Sequence, residues 1–224
     1  MKRTLVFILI LLFCCLIIPF HSKATFISAF DSSAEAWTAY ATQAGSVSNF
    51  QFNATGGNPG GYISATDTGS RAWLFMAPPS WSGDFTQYVG GTVKFDIYIE
   101  EPSGQNYDFN SNFPTVVFDL ENLGDGIYLG WIMPSNPPIG QWTSLSVDIT
   151  PNNFKVVGSS LGFEEAIKKI TGFLIQGDYL AVINDTTRLD NVKVAPVPEP
   201  ATIVLLAAGL FGLAGYSRRK IMKS

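Results

Sequence analysis

Histidine and cysteine are almost missing from this chain. Its one histidine, His21, and its two cysteines, Cys14 and Cys15, all lie near the start of a 224-residue sequence. Beyond residue 24 there is therefore no cysteine nucleophile, no Ser-His-Asp triad, no His/Cys zinc site and no disulfide framework, whatever the fold. Charge is scarce too, at 14% of residues against 46% hydrophobic, a balance that excludes a disordered polymer or an acidic tail. The charges present are lopsided. Residues 25–196 carry seven basic side chains (Arg71, Lys94, Lys155, Lys168, Lys169, Arg188, Lys193) against seventeen acidic ones, a net of −10. Such a surface repels phosphate backbones, so nucleic acid is not an expected partner.

Long hydrophobic runs occur only at the two ends, Thr4 to Phe20 and Ala201 to Tyr216. The first follows Met1-Lys2-Arg3 and precedes Ser22-Lys23-Ala24, which reads as a secretory signal peptide over residues 1–24, cut after Ala24. Pro19 and the polar His21-Ser22-Lys23 argue against a permanent anchor there. The second run follows Val197-Pro198-Glu199-Pro200 and ends on Ser217-Arg218-Arg219-Lys220. At 1.5 Å rise per residue, about 16 residues reach about 24 Å, short for a lasting span and workable for a transient transmembrane helix over 201–216. The basic cluster should stay cytoplasmic by the positive-inside rule, which puts the rest of the chain outside.

Pro198-Glu199-Pro200, a Gly-rich hydrophobic stretch and the Arg218-Arg219-Lys220 cluster, in that order over residues 197–224, resemble the PEP-CTERM sorting signal of Gram-negative bacteria. The resemblance implies transient insertion in the inner membrane and processing by an exosortase, a membrane peptidase that removes the tail. It further implies display or release at the cell surface, in organisms that make exopolysaccharide. The rival reading is a plain tail anchor with a chance Pro-Glu-Pro. Either is an address and is silent on what the intervening domain binds.

Between the ends, residues 25–196 make one domain of ordinary size. Short β-type runs separated by turn residues dominate it. They are Thr25–Phe30, Val47–Phe52, Tyr62–Thr66, Ala72–Met76, Thr92–Ile99, Thr115–Leu120, Ile127–Trp131, Thr143–Ile149, Thr171–Gln176 and Thr187–Val194. In Thr92–Ile99 the residues Val93, Phe95, Ile97 and Ile99 share one face and Lys94 and Asp96 the other, the mark of a half-buried strand. Gly56-Gly57-Asn58-Pro59-Gly60-Gly61 and Asn136-Pro137-Pro138 punctuate the runs. One helical stretch, Phe163–Ile170, places Phe163, Ala166, Ile167 and Ile170 on a single stripe. These elements predict an all-β fold, an antiparallel β-sandwich of jelly-roll type with one short helix.

Several segments of the domain look like the laminin IV type A (laminin B) domain. They include Gly57-Asn58-Pro59-Gly60-Gly61-Tyr62-Ile63, Trp73-Leu74-Phe75-Met76-Ala77-Pro78, Tyr88-Val89-Gly90-Gly91-Thr92-Val93-Lys94-Phe95-Asp96 and Ile170-Thr171-Gly172-Phe173-Leu174-Ile175-Gln176-Gly177-Asp178-Tyr179. The closing Leu189-Asp190-Asn191-Val192 continues the match. The resemblance implies a galactose-binding-like sandwich without established catalysis. The cysteine-rich repeats that flank the animal domains are absent, so a direct matrix role does not carry over.

Three chemistries can be written on such a domain. Asp31 after the first strand and Asp190 on the last could hold a structural calcium, which wants six to eight oxygens. Of the five tryptophans, Trp73 and Trp142 sit in or beside strand-like runs and are expected inside. Trp81 and Trp131 neighbour Pro and Gly turns and are expected to be exposed, where each either caps the core or offers a platform for a sugar ring. Seventeen carboxylates leave a glycosidase pair conceivable, though nothing in the sequence selects one. The expectation is a non-enzymatic, exported protein that binds or organises exopolysaccharide. A purely structural or protein-interaction module and a carboxylate-based glycan hydrolase are the competing readings.

Overall fold

A computed structural model describes residues 24–41, 47–69, 72–102, 108–110, 112–121, 123, 125–181, 184–197 and 208–209. The alternation read from the sequence is realised in β1 (Phe26–Ser28), β3 (Val47–Asn53), β4 (Tyr62–Asp67), β5 (Trp73–Met76), β6 (Thr92–Ile99), β7 (Val116–Asp119), β8 (Tyr128–Trp131), β9 (Thr143–Asp148), β11 (Gly172–Gln176) and β12 (Thr186–Ala195). Two further short strands, β2 (Thr38–Ala41) and β10 (Lys155–Val157), were not expected. Both lie at a sheet edge, where a strand needs only one partner and no full alternation.

The strands form two antiparallel sheets, one in the order β3-β4-β12-β6-β9 and the other β10-β8-β7-β11-β5-β2. This is the expected all-β sandwich. Strand β12 organises the first sheet. It pairs with β4 through Thr186–Leu189 and with β1 through Val192–Val194, while β6 runs along its other edge. Between the two halves the register shifts, at Asp190/Lys193, and Asn191 turns into the left-handed region at φ 50°. That bulge opens a gap in the sheet between the end of β1 and the start of β4.

Core packing follows from strand parity. Val93, Phe95, Ile97 and Ile99 of β6 point inward and are buried, whereas Lys94 is exposed and Tyr98 half-exposed. They meet Phe75, Val116, Phe118, Phe173 and Ile175 in one hydrophobic cluster. The expected helix is shorter than its periodicity suggested. Only α1 (Phe163–Ala166) is helical, because Ile170 leaves the turn to bridge Gly83 in antiparallel fashion. The stripe nonetheless serves its purpose, since Ala166, Ile167 and Ile170 are all buried. Gly177 packs directly against Trp73, for a Cβ there would fall 2.1 Å from the ring.

Candidate functional site

The outward positions of the first sheet carry a cluster that the inward rule cannot explain. On β4 the outward residues are Tyr62, Ser64 and Thr66, on β6 they are Lys94, Asp96 and Tyr98, and Arg188 faces out from β12. Arg188 lies directly opposite Tyr98 across one strand pair and opposite Ser64 across the other. Its guanidinium carbon stands 5.1 Å from the Tyr62 ring centroid and 4.6 Å from that of Tyr98. Its Nε and Nη2 both donate to Glu100 Oε1, at 2.9 and 2.6 Å. This is a charge-assisted pair held in place by two flat rings.

Trp142, immediately before β9, closes the cluster. Its indole packs edge-on against Tyr62 and Tyr98, with centroids 5.8 and 5.7 Å apart. The indole N–H donates to the Gly56 carbonyl at 3.2 Å, tying the ring to the Gly56–Gly61 loop. Polar side chains flank the rings. Asn53 Nδ2 donates to Ser64 Oγ at 3.1 Å, and the hydroxyls of Thr66 and Thr186 pair at 3.0 Å.

One wall is built by the glycine-rich loop, which docks into the gap that the β12 bulge leaves. The Asn58 amide donates to Asp190 Oδ2 at 2.6 Å and the Asn191 amide to Asp190 Oδ1 at 2.7 Å. Asn191 Nδ2 donates to the Asn58 carbonyl at 2.6 Å and to Asp96 Oδ2 at 2.8 Å. Asp190 is thus a fully buried clasp with both oxygens occupied. Burial raises its pKa, the two amides oppose that, and the charges of Asp96 and Asp31 add to it. Gly57 is required here because a Cβ would meet Asp190 Oδ2 and the Gly61 carbonyl. Asp31 stands at the same loop, where a Cβ on Gly60 would lie 2.8 Å from its Oδ1. The structure therefore brings Asp31 and Asp190 to one loop.

The tryptophans expected to be exposed are interior. Trp81 is sandwiched between Phe26 and Phe173, with centroids 5.0 and 5.4 Å away and both rings stacked on it. Trp131 lies on β8 with its side chain in the core cluster, 9% exposed. Adjacent turns do not decide exposure; strand parity and the turn's own path over the core do. Trp142, expected inside, is half-exposed on the aromatic face. Sequence reasoning passed over Tyr62, Tyr98, Arg188 and Glu100 altogether. The available signal was Tyr98, an aromatic ring on the polar side of the clear alternation in β6.

Outside this face, Asp178 and Asp185 carry strongly raised pKa values, to about 6 and about 8, chiefly because both are buried. The sorting residues Pro198, Glu199, Pro200, Arg218, Arg219 and Lys220, and the apolar run 201–216 apart from Ala208 and Gly209, lie outside the described residues. Among the described residues no helix is long and apolar enough to cross a membrane.

Residues 196–220 match the family described as the PEP-CTERM protein-sorting motif. The motif marks an exported protein that an exosortase processes at its C-terminus. No curated protein matches the chain. Among solved structures, the L4b domain of human laminin alpha-2 is 17% identical with a TM-score of 0.48, the match covering 61% of this chain and 80% of that one. The CBM22-1 xylan-binding domain of Paenibacillus barcinonensis Xyn10C is 13% identical with a TM-score of 0.47, covering 80% of this chain and 97% of that one. The family 11 carbohydrate-binding module from Clostridium thermocellum, in complex with a β-1,3-1,4-mixed-linked tetrasaccharide, is 16% identical with a TM-score of 0.47, covering 79% and 99%.

Proposed function

We propose that this exported domain is a non-catalytic glycan-binding module, and that the outer face of the first sheet holds the sugar. The observation that carries this reading is the cluster of Tyr62, Tyr98 and Trp142 around Arg188 and Glu100. Three partly exposed rings supply flat apolar faces, and a fixed ion pair with neighbouring hydroxyls and amides supplies directional hydrogen bonds, which is what a pyranose ring presents in return. The network does little for stability. Exposed ion pairs contribute about 0.2–1 kcal/mol and exposed cation–π contacts about 0.5–1 kcal/mol.

Hydrolysis is not proposed, because glycoside cleavage needs a protonated acid beside a second free carboxylate. On this face Glu100 is engaged by Arg188, and Asp96 accepts from the side-chain amides of Asn58 and Asn191. We read residues 1–24 as the export signal, cut after Ala24; residues 1–23 lie outside the described residues. Exosortase cleavage at Pro198-Glu199-Pro200 then leaves the domain at the cell surface or outside it, where exopolysaccharide is the available ligand.

Affinity electrophoresis of the full-length protein through gels containing mixed-linked β-glucan, xylan or the host's own exopolysaccharide tests the reading. Retardation by at least one of them, lost in Tyr98→Ala, is expected. Equal mobility in every gel would leave the aromatic face as a surface network only and favour the protein-interaction reading.

A further inference from the structure

The chain enters and leaves the sandwich at the same place. Strand β1 pairs antiparallel with β12, Phe26 against Val194 and Ser28 against Val192, so the start of the domain lies beside its exit. Strand β12 ends at Ala195, and only residues 196–200 separate it from the apolar run that begins at Ala201. Six steps of fully extended backbone reach about 20 Å. That is less than the width of a domain of about 170 residues, whose radius of gyration is about 15 Å. With the tail in the inner membrane, this end of the sandwich is held at the bilayer surface.

The surface at that end is distinctive. One row across the outer face of the first sheet runs Ile27, Lys193, Lys94 and Ser146, and all four are exposed. The row beyond it, towards the exit, holds Ala195, Thr92 and Asp148. Ile27 is 58% exposed and Val197, just past β12, is 42% exposed, two of the large apolar side chains that stand in solvent. Lys94 and Lys193 oppose each other directly on neighbouring strands, where like charges repel. Neither has a carboxylate partner, for among the described residues the salt bridge found is that of Arg188 with Glu100. Asp148 is the only acid in the two rows.

Folding does not call for this arrangement, since Ile27 leaves apolar surface in water and the lysine pair adds repulsion. Residues 25–196 carry a net charge of −10. A body of that charge on a short tether is pushed away from an anionic leaflet except where its own surface is basic. Screening over about 8 Å at physiological salt means that the side chains nearest the bilayer decide the balance. We propose that, while the tail is inserted, Lys94, Lys193, Ile27 and Val197 rest on the anionic phospholipid headgroups of the inner membrane. The lysines meet the phosphates, and the two apolar side chains enter the headgroup boundary. The aromatic cluster lies outside this contact, because Tyr98 is four residues further along β6, about 13 Å away. So small a patch holds the domain only with the tail as a second anchor, as stable attachment takes two signals. Exosortase cleavage then frees this end of the face together with the chain. The inference rests on insertion of the apolar run in the membrane.

Depth-dependent quenching tests it on the full-length protein in a Cys14→Ser/Cys15→Ser background. A bimane label is placed in the patch through Ser146→Cys or, on the loop after β10, through Ser160→Cys. The protein is reconstituted into vesicles of brominated phosphatidylcholine, with or without about 30% phosphatidylglycerol. In anionic vesicles we expect the label at position 146 to be quenched about twofold more than that at position 160. The excess should vanish without phosphatidylglycerol and in Lys94→Gln/Lys193→Gln, whose fold is checked by circular dichroism. Equal quenching at the two positions in anionic vesicles, or an excess that survives the double substitution, would overturn the contact. If the double substitution instead weakens retention by gels containing a uronate polysaccharide and leaves quenching unchanged, the lysines serve an acidic glycan and the membrane contact is wrong. Protein that fails to float with the vesicles would overturn the insertion of the tail and the contact together.

Discussion

Four of the five tryptophans, Trp37, Trp73, Trp81 and Trp131, are packed inside the sandwich, while Trp142 stands with Tyr62 and Tyr98 on the outer face of the first sheet. The inner group removes large apolar surfaces from water. An indole buries ~200 Å², about 5 kcal/mol at 25 cal/mol per Å². In the outer group Trp142 meets Tyr62 and Tyr98 edge-on, Arg188 lies over the two tyrosine rings, and each ring gives up only part of its surface. Aromatic residues in one domain thus divide by parity into those that hold it together and those that the fold could spare. The second kind needs another reason to be there, and ligand recognition supplies one.

This division can be broken from its stable side first. Trp81→Ala should lower stability by about 3–5 kcal/mol, seen as a Tm fall of roughly 10 °C, because the space between Phe26 and Phe173 cannot close over an indole-sized gap. A loss under about 1 kcal/mol would return Trp81 to the surface. Gly177→Ala forces a methyl into the Trp73 ring and should cost about 2–3 kcal/mol in urea unfolding, with no change in any outer-face contact. Asp190→Ala leaves the Asn58 and Asn191 amides without their acceptor. It should cost about 1–2 kcal/mol and also weaken glycan binding, since the loop it clasps carries the Gly56 carbonyl that holds Trp142. Smallest of all, Glu100→Gln should change stability by less than about 1 kcal/mol yet lower glycan affinity several-fold, which separates recognition from folding.

How far the sequence revealed this arrangement depends on range. Alternation such as that of β6 is a local property, and it located ten of the twelve strands among the described residues. Strands β2 and β10 escaped because three or four residues at a sheet edge carry no period. The helix was overextended because its stripe continued to Ile170, a residue buried through a β-bridge. The candidate site is harder still. Tyr62, Tyr98, Trp142 and Arg188 come from four separate segments and meet only through the register of β4, β12, β6 and the residue before β9. Turn chemistry beside Trp81 and Trp131 pointed the wrong way, since a chain can turn sharply while keeping its ring in the core. Asp31 and Asp190 were paired by position in the chain, and they do reach a common loop. What no pattern showed was that amides occupy both oxygens of Asp190, while Asp185, five residues earlier, has none.

The central claim rests on Trp142, and calorimetric titration of a host exopolysaccharide or mixed-linked β-glucan into full-length wild type and Trp142→Ala tests it most directly. The account predicts measurable binding to the wild type and at least a tenfold loss in the variant, about 1.4 kcal/mol, with the fold retained by circular dichroism. Equal affinity in the two proteins would contradict it, because the sugar would then lie elsewhere on the molecule.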